Sequence, residues 1–175
     1  MMDLIIRNAQ LVDGSGKPAK EGDLGIKDDR IAGMGDLSQE SGSKELNAGG
    51  KVLSPGFIDS HTHDDRAVLH DPLMSSKISQ GVTTVITGNC GVSLAPLKYE
   101  QRPPPPLDLV CEDPKLFFSE FSGYLKTLDQ EPPSLNVAAQ VGHSTLRLGA
   151  MDRLDREATP DEIKTMRSRL ESSLL

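Results

Sequence analysis

Ser54-Pro55-Gly56-Phe57-Ile58-Asp59-Ser60-His61-Thr62-His63-Asp64-Asp65 is the stretch on which the reading of this chain turns. A Pro-Gly turn followed by Phe57 and Ile58 opens a short buried strand, and along a strand residues two apart share a face. His61 and His63 therefore project side by side, with Asp59 on their side and Ile58, Ser60 and Thr62 on the other. Neutral imidazole is the commonest nitrogen ligand for zinc and related cations, so this pair supplies half of a tetrahedral site from one strand. The plainer reading is two polar residues hydrogen-bonded at a strand end. An HxH pair closing an apolar strand favours the metal.

Downstream of this stretch, strands alternate with helical segments at the spacing of βαβ units. Asp71-Pro72 and Gly81 bracket an expected short helix through Met74 and Ile78. The β-branched run Val82-Thr83-Thr84-Val85-Ile86-Thr87 follows as a second strand and leads into Gly88-Asn89-Cys90-Gly91, which places Cys90 just past a strand end. The stretch 95–113 holds Pro103-Pro104-Pro105-Pro106 and has no periodicity, so it is expected to be a stiff surface connector. Asp113-Pro114 is expected to open a helix with the apolar stripe Phe117, Phe121, Tyr124 and Leu128, ended by Pro132-Pro133. A third strand over 136–141 leads to Gly142-His143. Thr159, Pro160 and Glu162 form a complete helix start with a capping box, and Ile163, Met166, Leu170 and Leu174 line one face of that helix.

Upstream, residues 1–53 read as short strands at 4–7, 10–12, 23–27, 30–34 and 51–53, separated by turn chemistry such as Asp13-Gly14-Ser15-Gly16 and Asn47-Ala48-Gly49-Gly50. This is a small β-rich domain without catalytic character. The expected fold class is α/β: a small N-terminal β-sandwich-like domain over 1–53, incomplete without later strands, then the first three β/α units of a TIM (β/α)8 barrel over 54–175. A three-stranded parallel sheet ending on its third crossover helix has an uncovered edge, so the chain is expected to be truncated.

Composition excludes several function classes. A net charge of −7 with no basic cluster argues against nucleic acid as partner. No apolar run is long enough to span a bilayer, and the start Met1-Met2-Asp3-Leu4 lacks a signal-peptide pattern, so no membrane partner and a cytoplasmic location are expected. The two cysteines, Cys90 and Cys111, make no disulfide framework.

The chemistry collects at strand ends: His61 and His63, then Cys90 about one βαβ unit later, then His143. A thiol beside a cation loses its proton and becomes a soft, tightly held ligand, which lifts Cys90 above the reading of a buried structural cysteine. Cys111 has no such company and is read as incidental. His70 is read as a surface residue. Asp64 and Asp65 are either partners that orient the imidazoles or plain loop carboxylates. His143 is either a hydrogen-bonded strand-end residue or a donor to a substrate carbonyl, and Gly142 and Arg147 beside it leave room for a ligand.

These residues together resemble the N-terminal part of the amidohydrolase superfamily, and more narrowly the N-acyl-D-amino-acid deacylases. The motifs that carry the resemblance are residues 53–65 around His61-Thr62-His63, Ser79-Gln80-Gly81-Val82-Thr83-Thr84-Val85 with Gly88-Asn89-Cys90-Gly91-Val92-Ser93, and Val141-Gly142-His143 with Leu146-Arg147. The opening, 4–14 with 28–35, is similar to the small β domain that precedes the barrel in that family. HxH alone would point only to the superfamily, whereas its combination with Gly-Asn-Cys-Gly is far more specific.

The resemblance implies metal-dependent hydrolysis of the amide joining an acyl group to a D-amino acid, a small-molecule substrate. It implies His61, His63 and Cys90 as metal ligands, with the cysteine where most binuclear amidohydrolases use a carboxylated lysine, and His143 near the substrate carbonyl. The cofactor implied is Zn2+, one or two ions, with other divalent metals open, as is a homo-oligomer. Two later histidine ligands and a catalytic aspartate have no counterpart in this sequence, so the chain alone is expected to be inactive. Two rivals remain in view. A dihydroorotase or hydantoinase would be expected to carry a basic residue two positions after the second His and a lysine bridge; Cys90 and the Asp64-Asp65 pair speak against it. The other is a metal-binding fragment without turnover.

Overall fold

The structure is a computed structural model and describes residues 1–174. The chain divides into two compact units, Met1–Pro55 and Gly56–Leu175.

The first unit is one mixed sheet. Its long strand β1 (Met2–Leu11) pairs antiparallel with β2 (Lys20–Lys27), which pairs antiparallel with β3 (Arg30–Gly35). On its other side β1 runs parallel to β4 (Gly42–Asn47) and, further along, to β5 (Val52–Leu53). Two strands expected at 4–7 and 10–12 are thus one, because Asn8 takes a positive φ of 56° and absorbs the break as a bulge rather than a turn. Arg7 sits at this bulge and ties the layer together through Asp23 at 3.0 Å and Glu45 at 2.9 Å. Residues 1–55 form a single layer and not the two layers of a sandwich, since every strand pairs sideways into the same sheet and β4, unforeseen in sequence, fills the second edge of β1.

In the second unit three strands, β6 (Phe57–Asp59), β7 (Val82–Thr87) and β8 (Asn136–Ala139), lie parallel in that order. Thr83 packs so close to Gly56 that a Cβ at that position would overlap its side chain. Between β6 and β7 the chain makes two single-turn helices, α1 (Ala67–His70) and α2 (Ser75–Ile78). The expected start at Asp71-Pro72 is not used: Asp71 closes α1, and α2 begins instead from Met74, whose φ of 45° is unusual for a residue with a side chain and whose thioether is buried.

The proline-rich stretch corrects the sequence expectation most. It is no surface connector: Leu94, Ala95, Leu97, Leu107, Val110 and Cys111 all enter the core beside Val85, Phe121 and Tyr124. The absence of periodicity reflects irregular backbone, with a 3-10 turn at Leu107–Leu109, and an irregular segment can bury apolar side chains without repeating them. Asp113 does cap, its side chain accepting from the Lys115 amide, but only the 3-10 turn Pro114–Leu116; α3 (Phe121–Gln130) starts later and buries Phe121, Tyr124 and Leu128. After β8 a further helix, α4 (His143–Ala150), stands where an extended strand end was expected. The last helix, α5 (Pro160–Ser173), begins as its sequence specifies, with Thr159 and Glu162 closing a capping box. It lies against α4 and its Met166 is half-buried, while Ile163, Leu170 and Leu174 stay exposed. No described helix is long and apolar enough to cross a membrane.

Candidate metal centre

β6 ends at Asp59, where its pairing with Val85 of β7 stops, so His61 and His63 lie just beyond the strand rather than on it. The alternation of an extended chain nevertheless persists: Thr62 is buried while the imidazoles on either side are exposed. The two rings face each other edge to face, centroids 6.0 Å apart and planes at 63°.

Cys90 reaches them from the turn after β7. Gly88 and Gly91, both with positive φ, fold that turn, and the Gly91 amide closes it on the Gly88 carbonyl at 2.9 Å. Gly88 could not carry a side chain, since a Cβ would overlap the Gln140 carbonyl oxygen. The Asn89 side-chain amide then donates to the Ser60 carbonyl at 2.7 Å, which ties the cysteine turn to the histidine segment. The outcome is a cluster of one ligand atom each from His61, His63 and Cys90, all within 4.8 Å of one another. Among the described residues no other group of three His, Cys, Asp or Glu ligand atoms is so placed. Two imidazole nitrogens and a soft sulfur suit zinc and related transition metals.

The profile of the amidohydrolase family matches residues 44–174. The chain belongs to the amidohydrolase family. Its sequence is 49 % identical to a D-aminoacylase of Alcaligenes xylosoxydans xylosoxydans over 98 % of this chain and 35 % of that protein. A solved D-aminoacylase structure concerned with a binuclear metal centre superposes with a TM-score of 0.95 at 49 % identity, over 99 % of this chain and 36 % of that one. An N-acyl-D-glutamate deacylase from Bordetella bronchiseptica, complexed with zinc and a phosphonate mimic of the reaction's tetrahedral intermediate, superposes at 0.90 with 40 % identity, covering 99 % and 36 %. The chain therefore spans about a third of the length of the relatives it matches.

Around this cluster the structure shows the surroundings of several residues that sequence left open. Asp64 Oδ2 accepts from the Thr62 hydroxyl at 2.6 Å and from Lys77 Nζ at 2.9 Å. Lys77 also donates to Asp59 Oδ2 at 2.6 Å, and this hydrogen bond holds the Asp59 carboxyl below its ordinary range. Burial opposes the charge of Lys77, but its hydrogen bonds to Asp59 and Asp64 outweigh that and leave its pKa raised. Asp65 turns inward and is 1 % exposed, with Oδ2 lacking a hydrogen-bond partner; burial pushes its carboxyl up to about 6. Its backbone carbonyl accepts from the Tyr124 hydroxyl at 3.1 Å, which fastens the turn after His63 to α3. Burial, with the Asp65 charge adding to it, pushes that hydroxyl's pKa up.

His143 is the exposed first residue of α4 and is not in the donor cluster, although its neighbours Gly142 and Ser144 hold the start of that helix against the cysteine turn. Gly91 accepts from the Ser144 amide at 2.7 Å, Ser93 Oγ accepts from the Gly142 amide at 2.9 Å, and Thr145 Oγ1 exchanges hydrogen bonds with both backbone groups of Ser93. A Cβ at Gly142 would stand 2.6 Å from the Gly91 carbonyl oxygen, so the glycine permits this contact. Lys77 and Thr145 had no signal in the sequence, and the hydrogen bonds of Tyr124 and Ser93 had none either, because each acts through a partner distant in the chain. The surface placement read for His70 holds, and Cys111 is buried with its thiol donating to the Asp113 carbonyl. An apolar hollow of about 260 Å3 in the first unit, lined by Leu11, Leu24, Ile31 and Met34 among others, offers no comparable set of donors.

Proposed function

We propose that residues 1–175 carry part of the active site of a metal-dependent N-acyl-D-amino-acid deacylase, with His61, His63 and Cys90 as metal ligands. The observation that supports this reading most is the convergence of two imidazoles and a thiol at the ends of adjacent parallel strands. Similarity to D-aminoacylase and to a zinc-bound N-acyl-D-glutamate deacylase points to the reaction and favours Zn2+ as the ion. Bound there, the ion would act as a Lewis acid on the amide carbonyl and make water acidic enough to deprotonate near neutral pH. On this reading β6, β7 and β8 are the first three strands of a (β/α) barrel, in which functional groups sit at the carboxyl ends.

The chain's own residues divide the remaining work. Cys90 contributes a thiolate that lowers the net charge at the centre, and its turn is held to the histidine segment by Asn89. His143, at the start of α4, is exposed and free to donate to the substrate's carbonyl oxygen as charge builds there. Asp59 and Asp64 are engaged by Lys77 and do not serve as the proton carrier. That role needs a carboxylate general base and acid from elsewhere in the full-length protein.

The test is an assay of full-length protein on N-acetyl-D-methionine, N-acetyl-D-aspartate, N-acetyl-D-glutamate and their L enantiomers. Turnover of the D series only, lost on chelation and restored by zinc or cobalt, is expected. Hydrolysis of hydantoin or dihydroorotate in their place would transfer the protein to the rival class.

His143→Asn separates the two roles open to that residue. A fall in kcat of about 10²- to 10³-fold, the size associated with losing one donor to a developing oxyanion, is expected at unchanged metal content. Stoichiometric metal loss would make His143 a ligand.

A further inference from the structure

We infer that Lys77 is a positioning residue for the metal centre, holding the His61-Thr62-His63 segment in the shape that converges on Cys90. The inference rests on the proposed ligand set. Lys77 Nζ has three protons and three acceptors: Asp59 Oδ2 at 2.6 Å, Asp64 Oδ2 at 2.9 Å and Thr62 Oγ1 at 3.1 Å. Those acceptors bracket the two histidines in sequence, one before His61, one between the pair and one after His63. A single ammonium group thus gathers the six consecutive positions from Asp59, the last residue of β6, to Asp64, and it does so from α2, an element outside that segment. Thr62 completes the ring by donating to Asp64, and Asp59 Oδ1 accepts from the His61 amide at 3.4 Å.

The placement of α2 shows a second device with the same outcome. Met74 enters the left-handed region, a conformation that a residue with a Cβ adopts at a cost and keeps only where the surroundings enforce it. Burial of its side chain among Val68, Val85 and Leu107 in the core supplies that enforcement. The Met74 carbonyl accepts from the Lys77 amide at 3.0 Å, so the anchored residue fixes the turn that aims the ammonium. Lys77 shares an open depression with Asp59, His61, Thr62 and His63, and its ammonium pairs with the carboxylates of both Asp59 and Asp64. Without it, Asp59 and Asp64 would repel each other across the segment, and either could swing toward a bound dication in competition with the imidazoles.

The test uses full-length protein as native, Lys77→Met, Lys77→Arg and Cys90→Ala, titrated with Co2+ in a competition assay while the thiolate-to-metal absorption band is followed. Circular dichroism and thermal melting are recorded on the metal-free proteins. Lys77→Met is expected to fold but to bind Co2+ about 10- to 100-fold more weakly, the range known for groups that orient metal ligands. Its cobalt d–d bands should also change in position or intensity, as the ligand geometry shifts. Lys77→Arg, which keeps a donor cation, should recover most of the affinity and the native spectrum. A purely structural lysine would lower the melting temperature and leave the spectrum of the bound metal as in the native protein. That result, or a Lys77→Met affinity within twofold of native, overturns the inference while the ligand assignment stands. A native protein that shows no thiolate band, or one that Cys90→Ala leaves unchanged, removes the ligand assignment and the inference together.

Discussion

Cys90→Ala, in the full-length protein substituted with Co2+, is expected to abolish the thiolate-to-metal absorption band, whereas Cys111→Ala leaves it intact. The two thiols are a controlled pair. Cys90 stands within 4.8 Å of both imidazole donors, in a turn that two positive-φ glycines shape and Asn89 fastens to Ser60. Cys111 is buried in the core of the second unit, where its sulfur donates to the Asp113 carbonyl. Loss of a direct sulfur ligand should weaken metal binding by more than the roughly 10- to 100-fold typical of an outer partner. A drop in kcat/KM on the order of 10³-fold is expected with it, equivalent to about 4 kcal/mol of transition-state stabilisation. Spectra that survive Cys90→Ala and vanish in Cys111→Ala would place the metal elsewhere.

The second large effect concerns the 175 residues expressed alone. They are expected to show no measurable deacylase turnover, to hold zinc weakly and to associate. A tight zinc site takes about four ligands, and this chain brings three together, two of them from one short segment. The three-stranded sheet also leaves apolar surface bare: Phe57 and Ile58 of β6 are 62 % and 64 % exposed, and Ile163 and Leu170 of α5 add to it. Patches of this kind seek partners, and unpaired parallel strand edges offer them a template. Analytical ultracentrifugation with zinc titration and an N-acetyl-D-amino acid assay reads all three outcomes. A monomer with activity within about tenfold of the full-length protein, a difference under about 1.4 kcal/mol, would show that residues 1–175 assemble a complete site.

How these residues came to be legible is a matter of range. His61-Thr62-His63 and Gly88-Asn89-Cys90-Gly91 could be read directly, because alternation along an extended chain and the turn preference of glycine act within a few positions. The same holds for the Thr159 and Glu162 capping box, whose two hydrogen bonds span three residues, and for the β-branched run that becomes β7. Membership of the amidohydrolase family followed from these local motifs in combination, and the family match over 44–174 agrees with it.

Other features have no local cause. The pairing of β6 with β7 ends at Asp59 and Val85 although β7 runs on to Thr87 beside β8, so the histidines lie past the strand on which the alternation pattern alone puts them. The start at Asp113 looked like that of a long helix, yet the chain made one 3-10 turn and resumed as α3 only at Phe121. The proline stretch looked like a solvated connector until packing gave its leucines a core to enter.

Sequence alone singled out the imidazole pair and the thiol that the structure brings together, since such residues at successive strand ends are legible wherever strand and turn signals are strong. Tertiary structure decided what holds them. Lys77 meets Asp59 and Asp64, Tyr124 meets the Asp65 carbonyl, and Ser93 meets Gly142 and Thr145 across gaps in sequence that no periodicity spans. The physical reason is that an ion pair or a buried hydrogen bond depends on distance in space, and only packing of β6, β7 and β8 with their helices brings those partners within reach.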